Sequence, residues 1–414
     1  MITYNKENHS FHLHTKSTSY VFFVNERKHL QHVYYGAKIK DIKNLKDFIP
    51  QYEFELGTSV SYSEEDKGYM LNYTLLEQST YGKGDYRNPM LHLELPSGSR
   101  TTDFKYESHQ ECLNLHFEGM PQVRKQSTLE VKLVDVKAKV DLYLYYTVLE
   151  EEDVIVRNTK LVNRNEEKIV IDKALSMQLD VLNKEYQLLK LDGAWIRERN
   201  ISIHNLTKGI VTIDSKQGNS SNSHNPFLLL KEPTTNEAYG NAIGMALVYS
   251  GNFEANVEIN SHDFVRMNMG INGFDFRYPL ASGEEFITPE VLMSFSDTGM
   301  SSVSNHFHDA INHHIISPNF KEKERPILVN NWEATYFDFN RKKLLAIAKK
   351  AKKLGIELFC LDDGWFSRRN DDFSSLGDWY YNKKKLPSGV KGICDKVNKL
   401  GLDFGIWVEP EMVN

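Results

Sequence analysis

The sequence predicts a multidomain chain of β plus α/β class: a large antiparallel all-β domain, then the first βα units of a parallel-stranded domain. Three observations carry this. From about residue 10 to 300 the apolar residues alternate, or come in short β-branched and aromatic runs between turn-type clusters. After about residue 300 the pattern becomes strand-helix-strand-helix-strand. Polar and aromatic residues gather at the ends of those later strands.

In the first part, SYVFFV, LEVKLVDV, KVDLYLYYTVL and DVIVRNTKLV read as strands. Within Lys139 to Leu149, Val140, Leu142, Leu144 and Tyr146 share one parity and Asp141, Tyr143 and Tyr145 the other. One face is therefore expected to be core and the other amphipathic, with sheets packed face to face. The Ser/Asn-rich stretch Lys216 to Asn225 reads as a solvated loop inside the domain, because PFLLL resumes directly after it. No internal repeat is visible. The domain is expected to span 1–300, with a connecting helix and polar hinge over 301–324, from SSVSNHFHDAINHHI to NFKEKERP.

The second domain is expected over 325–414. PILVNNW is a continuous apolar run, as expected of a parallel strand buried on both faces, and the helix after it puts Leu344, Ile347, Ala348, Ala351 and Leu354 on one side. Gly355 stops that helix. IELFCLDDGWF is the next strand, then a charge-rich loop, a helix bearing Ile393, Val397 and Leu400 that stops at Gly401, and the strand LDFGIWVEPEM. Such an order makes parallel strands with right-handed crossovers, in a doubly wound sheet or a (β/α)8 barrel. The barrel is favoured: no glycine-rich phosphate turn follows any strand, and each strand ends in polar or aromatic residues. These are Asn330, Asn331 and Trp332 at the first, Asp362, Asp363 and Trp365 at the second, and Trp407, Glu409 and Glu411 at the third. A full barrel needs roughly 250 residues, so the chain is expected to hold three strands of a truncated one.

The composition narrows the function. Hydrophobic residues make up 40% and charged residues 26% of the 414, which is globular, and no run approaches the roughly 18 apolar residues of a membrane span. No secretory signal is visible at MITYNKENHSFHLHTK, so cytoplasm is the expected compartment. A net charge of −6 gives no reason to expect nucleic acid. Cys112, Cys360 and Cys394 are too widely spaced for a disulfide framework or a zinc knuckle. His306, His308, His313 and His314 lack the i, i+4 pairing of a helical zinc motif, so no metal or other cofactor is expected.

Trp332, Trp365, Trp379 and Trp407 are four of the five tryptophans, and they lie near strand ends that also bear carboxylates. Sugars need that pairing, because a pyranose has an apolar face for an aromatic ring and hydroxyls for ionised carboxylates. The blander alternative has the tryptophans filling core and the carboxylates capping helices. Asp362 and Asp363 would point to opposite faces of a regular strand; where Gly364 lets the backbone turn, both can face the strand ends, or one is structural. Two close carboxylates also suit a glycosidase acid and nucleophile, with Asp363 and Glu409 or Glu411 as a rival pair.

The strings PILVNNWEATYFDF, LFCLDDGWFSRRNDD, GDW and LDFGIWVEPEMVN resemble glycoside hydrolase family 36, the α-galactosidases of bacterial type. The likeness extends upstream over TYGKGDYRNPM, LDGAWIRER and FSDTGMSSVSNHFH, and so covers essentially the whole chain. It implies an N-terminal β-supersandwich, a catalytic (β/α)8 TIM barrel, and retaining hydrolysis of terminal α-galactosyl residues in melibiose- or raffinose-like galactosides. It also implies that Trp332 and Trp407 line the galactose pocket, that Asp362 and Asp363 hold galactose hydroxyls, and that full-length members are homotetramers. In such tetramers the GD[FY]R loop reaches a neighbour's site, which would bring Arg87, and less directly Asp85, to substrate. The family's nucleophile lies in a KWD-type motif on the fourth strand and its acid/base further on. No KWD string occurs here, so both catalytic groups are expected beyond Asn414 and the chain alone is expected to be inactive. The alternative is a non-catalytic remnant that binds galactosides or assembles with full-length subunits.

Overall fold

The structure, a computed structural model, describes the chain except residues 41, 43, 51–56, 58, 59, 66, 125 and 126. It forms two compact units, Met1–Ile316 and Ser317–Asn414.

The first unit is built of antiparallel sheets with four, six and ten strands. The strands read from the sequence are present as Thr18–Val24, Ser127–Asp135, Val140–Leu149 and Val154–Asn163. One apolar cluster draws on all three sheets, among them Phe11 and Tyr20, Leu142 and Leu144, and Leu175 and Met177. Face-to-face packing of twisted sheets gives such a shared core. The Val140–Leu149 strand departs from the expected alternation, because Asp141 and Tyr145 are buried as well as Leu142 and Leu144. It lies inside the ten-stranded sheet between Ser127–Asp135 and Val154–Asn163, and both its faces are largely covered. The Ser/Asn-rich stretch is irregular as far as Ser223, and the next strand, His224–Lys231, already includes its last two residues.

The expected connecting helix is Met300–Ala310, continued by one π-helical turn over Ile311–Ile315, and it belongs to the first unit. Val303, Phe307 and Ala310 bury one side of it against the ten-stranded sheet. The approach is close at Gly244, where a Cβ would lie 2.5 Å from Val303 Cγ1.

The second unit has the expected order. Strands Leu328–Asn330, Leu358–Leu361 and Asp403–Ile406 are parallel, with Leu358–Leu361 central, and helices Arg341–Lys353 and Gly389–Asn398 cross between them. Gly355 and Gly401 take φ of +83° and +78° just past the two helices, where a side chain would be strained. Two details differ from expectation. Leu354 is the C-cap of its helix and is exposed, so the buried stripe stops at Ala351. Ile327 and Leu328 are more than half exposed, because the strand they begin is an edge with one paired side rather than a strand covered on both faces.

Candidate active site

Parallel pairing sets the geometry of the strand ends. Asn330 is in register with Cys360, and Leu361 with Ile406, so the residues after each strand emerge at one end of the sheet. Asn330 Nδ2 donates to Asp362 Oδ2 at 2.6 Å, and the Asp362 amide donates to Asn331 Oδ1 at 2.9 Å. The Trp407 amide donates to the Leu361 carbonyl at 2.8 Å, and Trp365 Nε1 to the Trp407 carbonyl at 2.8 Å. Side-chain hydrogen bonds thus tie the first strand end to Asp362, and Trp407 is tied to the second strand through Leu361 and Trp365.

The adjacent aspartates have different surroundings. Gly364 takes φ +87° and turns the chain directly after them. Asp362 stays half-buried, with Oδ2 on Asn330 and Oδ1 on the Asp363 amide. Asp363 is buried, and Arg369 clamps it: Nε lies 3.1 Å from Oδ1 and Nη2 2.9 Å from Oδ2. The fork of a guanidinium matches both oxygens of a carboxylate, which fixes the plane of Asp363. Arg369 is held in turn by the Ser374 carbonyl at 3.0 Å. Lys385 Nζ donates to the Arg369 and Gly364 carbonyls at 2.9 and 2.8 Å, and burial pushes that ammonium down from the usual lysine range. Burial, with Glu411 and Asp363 nearby, raises the Glu409 carboxyl above its usual range. Glu411 is exposed.

The four tryptophans of this unit separate by role. Trp365 is buried, and it and Trp379 pack with Phe366 in the core, as the blander alternative has it. Trp332 and Trp407 remain half-buried at the strand ends. Trp332 meets Tyr336 and Phe337 edge-on at 5.2 and 5.1 Å, an arrangement that fixes its ring plane.

Arg87 lies elsewhere, inside the first unit, with its side chain 1% exposed. It donates to Asp85 at 2.8 Å, to Asp180 at 3.0 Å, and to the Leu71 and Thr74 carbonyls at 2.7 and 2.9 Å. Arg266 binds the same two aspartates, at 2.9 Å to Asp85 and 2.8 Å to Asp180. In this chain Arg87 and Asp85 brace the GDYR turn from within, and the residue the turn presents outward is Tyr86, 69% exposed.

Sequence reasoning missed Arg369, Lys385 and the pairing partner Arg266. Arg266 carried a usable signal, since a charged residue within the apolar run FVRMNMGI has to be paired. Arg369 carried none: its neighbour Arg368 is exposed, and nothing local tells the two apart. Among the described residues no group of His, Cys, Asp and Glu side chains has the geometry to hold a metal ion, and no helix is long and apolar enough to cross a membrane.

A parallel-stranded unit with carboxylates and half-buried tryptophans at its strand ends brings together the residue types that can meet the polar and apolar faces of a sugar, and comparison with known proteins gives the family of the chain. Residues 28–281 match the glycosyl hydrolase family 36 N-terminal domain, and residues 285–414 match the melibiase domain. The chain belongs to glycosyl hydrolase family 36. It is 40% identical to alpha-galactosidase AgaA of Geobacillus stearothermophilus over all of this chain and 57% of that protein. Mel36A of Lactobacillus acidophilus is likewise 40% identical, over all of this chain and 57% of its own length. The chain therefore spans little more than half the length of these relatives. Its structure superposes on the alpha-galactosidase of Lactobacillus brevis with a TM-score of 0.94 at 37% identity, covering 100% of this chain and 56% of that one. A variant of AgaA in complex with raffinose gives 0.92 at 39% identity, covering 98% and 57%.

Proposed function

We propose that this chain supplies the β domain and part of the galactose pocket of a retaining α-galactosidase acting on terminal α-galactosyl residues of melibiose- or raffinose-like sugars. The observation that carries the reading is the Asn330–Asp362 side-chain hydrogen bond at the strand ends, with half-buried Trp332 and Trp407 at the ends of the two flanking strands. In this reading Trp332 and Trp407 offer ring faces to the apolar side of galactose. Asp362, whose oxygens each hold one hydrogen-bond donor, accepts from a sugar hydroxyl. Asp363 serves the same pocket from its arginine clamp. The identity to curated alpha-galactosidases supports the reaction class, and the raffinose complex of AgaA supports the substrate class.

Retaining hydrolysis requires two carboxyl groups about 5 Å apart, one as nucleophile and one as acid/base, and no metal or other cofactor. Neither role is assigned within this chain, where the groups bind and orient. Binding is therefore the property to measure. Titrating the 414-residue chain with galactose is expected to give a saturable change in tryptophan fluorescence that glucose, its C4 epimer, does not give. Asp362→Asn and Trp407→Ala should each weaken the response by about tenfold or more. A chain that is folded by circular dichroism yet gives no response to galactose would sink the pocket assignment.

A further inference from the structure

A groove of about 840 Å³ in the first unit is lined by four lysines, Lys28, Lys83, Lys105 and Lys137. That volume falls within the roughly 300–1,000 Å³ of small-ligand sites. The lysines come from separate parts of the chain. Lys28 lies in the turn after strand Thr18–Val24, Lys83 in the GKGDYR turn, Lys105 at the start of strand Lys105–Leu113, and Lys137 in the turn after Ser127–Asp135. Their convergence is therefore made by the fold and not by one basic run in the sequence. Lys28 and Lys83 also take φ of +62° and +61°, left-handed conformations in which glycine or asparagine is less strained.

Two of the ammoniums are held as a pair. Lys83 Nζ and Lys105 Nζ lie 4.8 and 5.4 Å from the centre of the same Tyr62 ring, whose face attracts cations. They also lie 3.9 and 3.8 Å from one oxygen, Asp103 Oδ2. That oxygen already accepts from the Tyr62 hydroxyl at 2.5 Å, and Asp103 Oδ1 is 2.9 Å from His29 Nε2. The other acids of the groove are engaged as well. Asp135 accepts from the amides of Asp103, Lys137 and Ala138 at 2.7, 2.9 and 2.9 Å, and Glu107 pairs with Lys132 at 2.6 Å. Among the described residues, none of the four ammoniums has an acceptor within hydrogen-bond distance. The carboxylates of the groove thus hold other donors, while its cations keep both charge and donors to spare.

We propose that this groove binds a phosphate-bearing anion, either inorganic phosphate or a phosphomonoester, with Lys83 and Lys105 as its paired donors and Lys28 and Lys137 adding charge from the groove wall. The chemistry of the ligand follows from the donors. A phosphomonoester carries about −1.5 to −2 charge at pH 7 and presents three strong acceptor oxygens, which suits several converging cations. Lysine binds such a group as a point charge, without the planar match that a carboxylate draws from arginine. A neutral sugar would leave the ammoniums without a counter-charge. The proposal does not depend on the sugar-site reading, which concerns the second unit.

The test is isothermal titration of the 414-residue chain with sodium phosphate and with glucose 6-phosphate, each against sodium chloride at equal ionic strength, because salt alone screens surface charge. Saturable binding of the phosphate compounds and none of chloride is expected. Tighter binding of glucose 6-phosphate assigns the groove to a phosphomonoester, and equal or tighter binding of inorganic phosphate assigns it to the free ion. Lys83→Gln combined with Lys105→Gln should weaken binding by about tenfold or more. Lys28→Gln combined with Lys137→Gln removes side chains that touch no acceptor in the chain, so it should weaken binding several-fold at an unchanged melting temperature. Lys353→Gln, at an exposed lysine of the second unit, should bind as the wild type does. No binding beyond that of chloride overturns the proposal, as do groove variants that bind like the wild type. A loss in Lys353→Gln equal to theirs also overturns it, since general surface charge would then account for the effect.

Discussion

Asp363 and Arg369 show how a single pair holds a site together. Their side chains are 8% and 5% exposed, so each charge is largely out of water and depends on the other. Removing one partner of such a pair strands the other, which costs about 3–5 kcal/mol, whereas the intact pair need not add much net stability. Arg369→Met is accordingly expected to destabilise the second unit by that amount in urea titrations. Arg369→Lys should lose less, since an ammonium restores the charge but not the two-point fork. Equal losses for the two variants would show that charge alone, and not the fork, sets the position of Asp363. Asp103 makes the corresponding case in the first unit. Burial raises its carboxyl, but hydrogen bonds from His29 and Tyr62 and the nearby Lys105 outweigh burial and hold it at about 2. A folded-state value below the ordinary 3.8 gives stability that is complete above that value and is lost as the pH falls through the folded one. The contribution is about 2 kcal/mol. Asp103→Asn should therefore remove that part of the acid dependence, leaving a flatter stability curve between about pH 4 and pH 2 than the wild type shows.

At the scale of elements, the contact between the Met300–Ala310 helix and its sheet turns on the absence of a side chain. A Cβ on Gly244 would meet Val303 Cγ1 at 2.5 Å and Phe307 Cε2 at 2.9 Å. Both atoms belong to buried side chains, so the helix has to shift. Gly244→Ala is expected to destabilise the first unit by about 1–3 kcal/mol, the usual cost of overpacking a filled core, read as a lower thermal midpoint. No change would mean that the helix rides loosely on the sheet. The strands and helices themselves were legible, because apolar side chains recur along the local chain: the β-branched and aromatic run in KVDLYLYYTVL, although its strand is covered on both faces, and the Ile393 and Val397 spacing in the last helix were enough. The same signal misread Ile327 and Leu328, since an apolar run does not tell an edge strand from a central one. Gly364, Asp362 and Trp407 were legible as a group because parallel strands bring their ends together. What holds them there was not, because Arg369 reaches Asp363 from a loop with no period to read.

At the scale of the whole molecule, each unit closes a core of its own. The clusters around Tyr20 and Leu142, around Val303 and Leu292, and around Val21 and Val33 draw only on the first unit. Phe359, Leu361, Leu344, Ile393 and Val397 form the core of the second. Ser317 to Arg325 lies between these cores in the sequence, and all of its residues are exposed. Exposed backbone without core contacts is where proteases cut first. Lys321 and Lys323 offer trypsin two sites there, while Arg325 is protected by the proline that follows it. Brief digestion is expected to yield a stable product ending at Lys321 or Lys323, identified by intact mass. Because the core of the first unit is complete without later residues, that product should keep a single cooperative melt. A product that melts without cooperativity would mean that the antiparallel sheets draw stability from beyond Lys323, and that the first unit is not an independent folding unit.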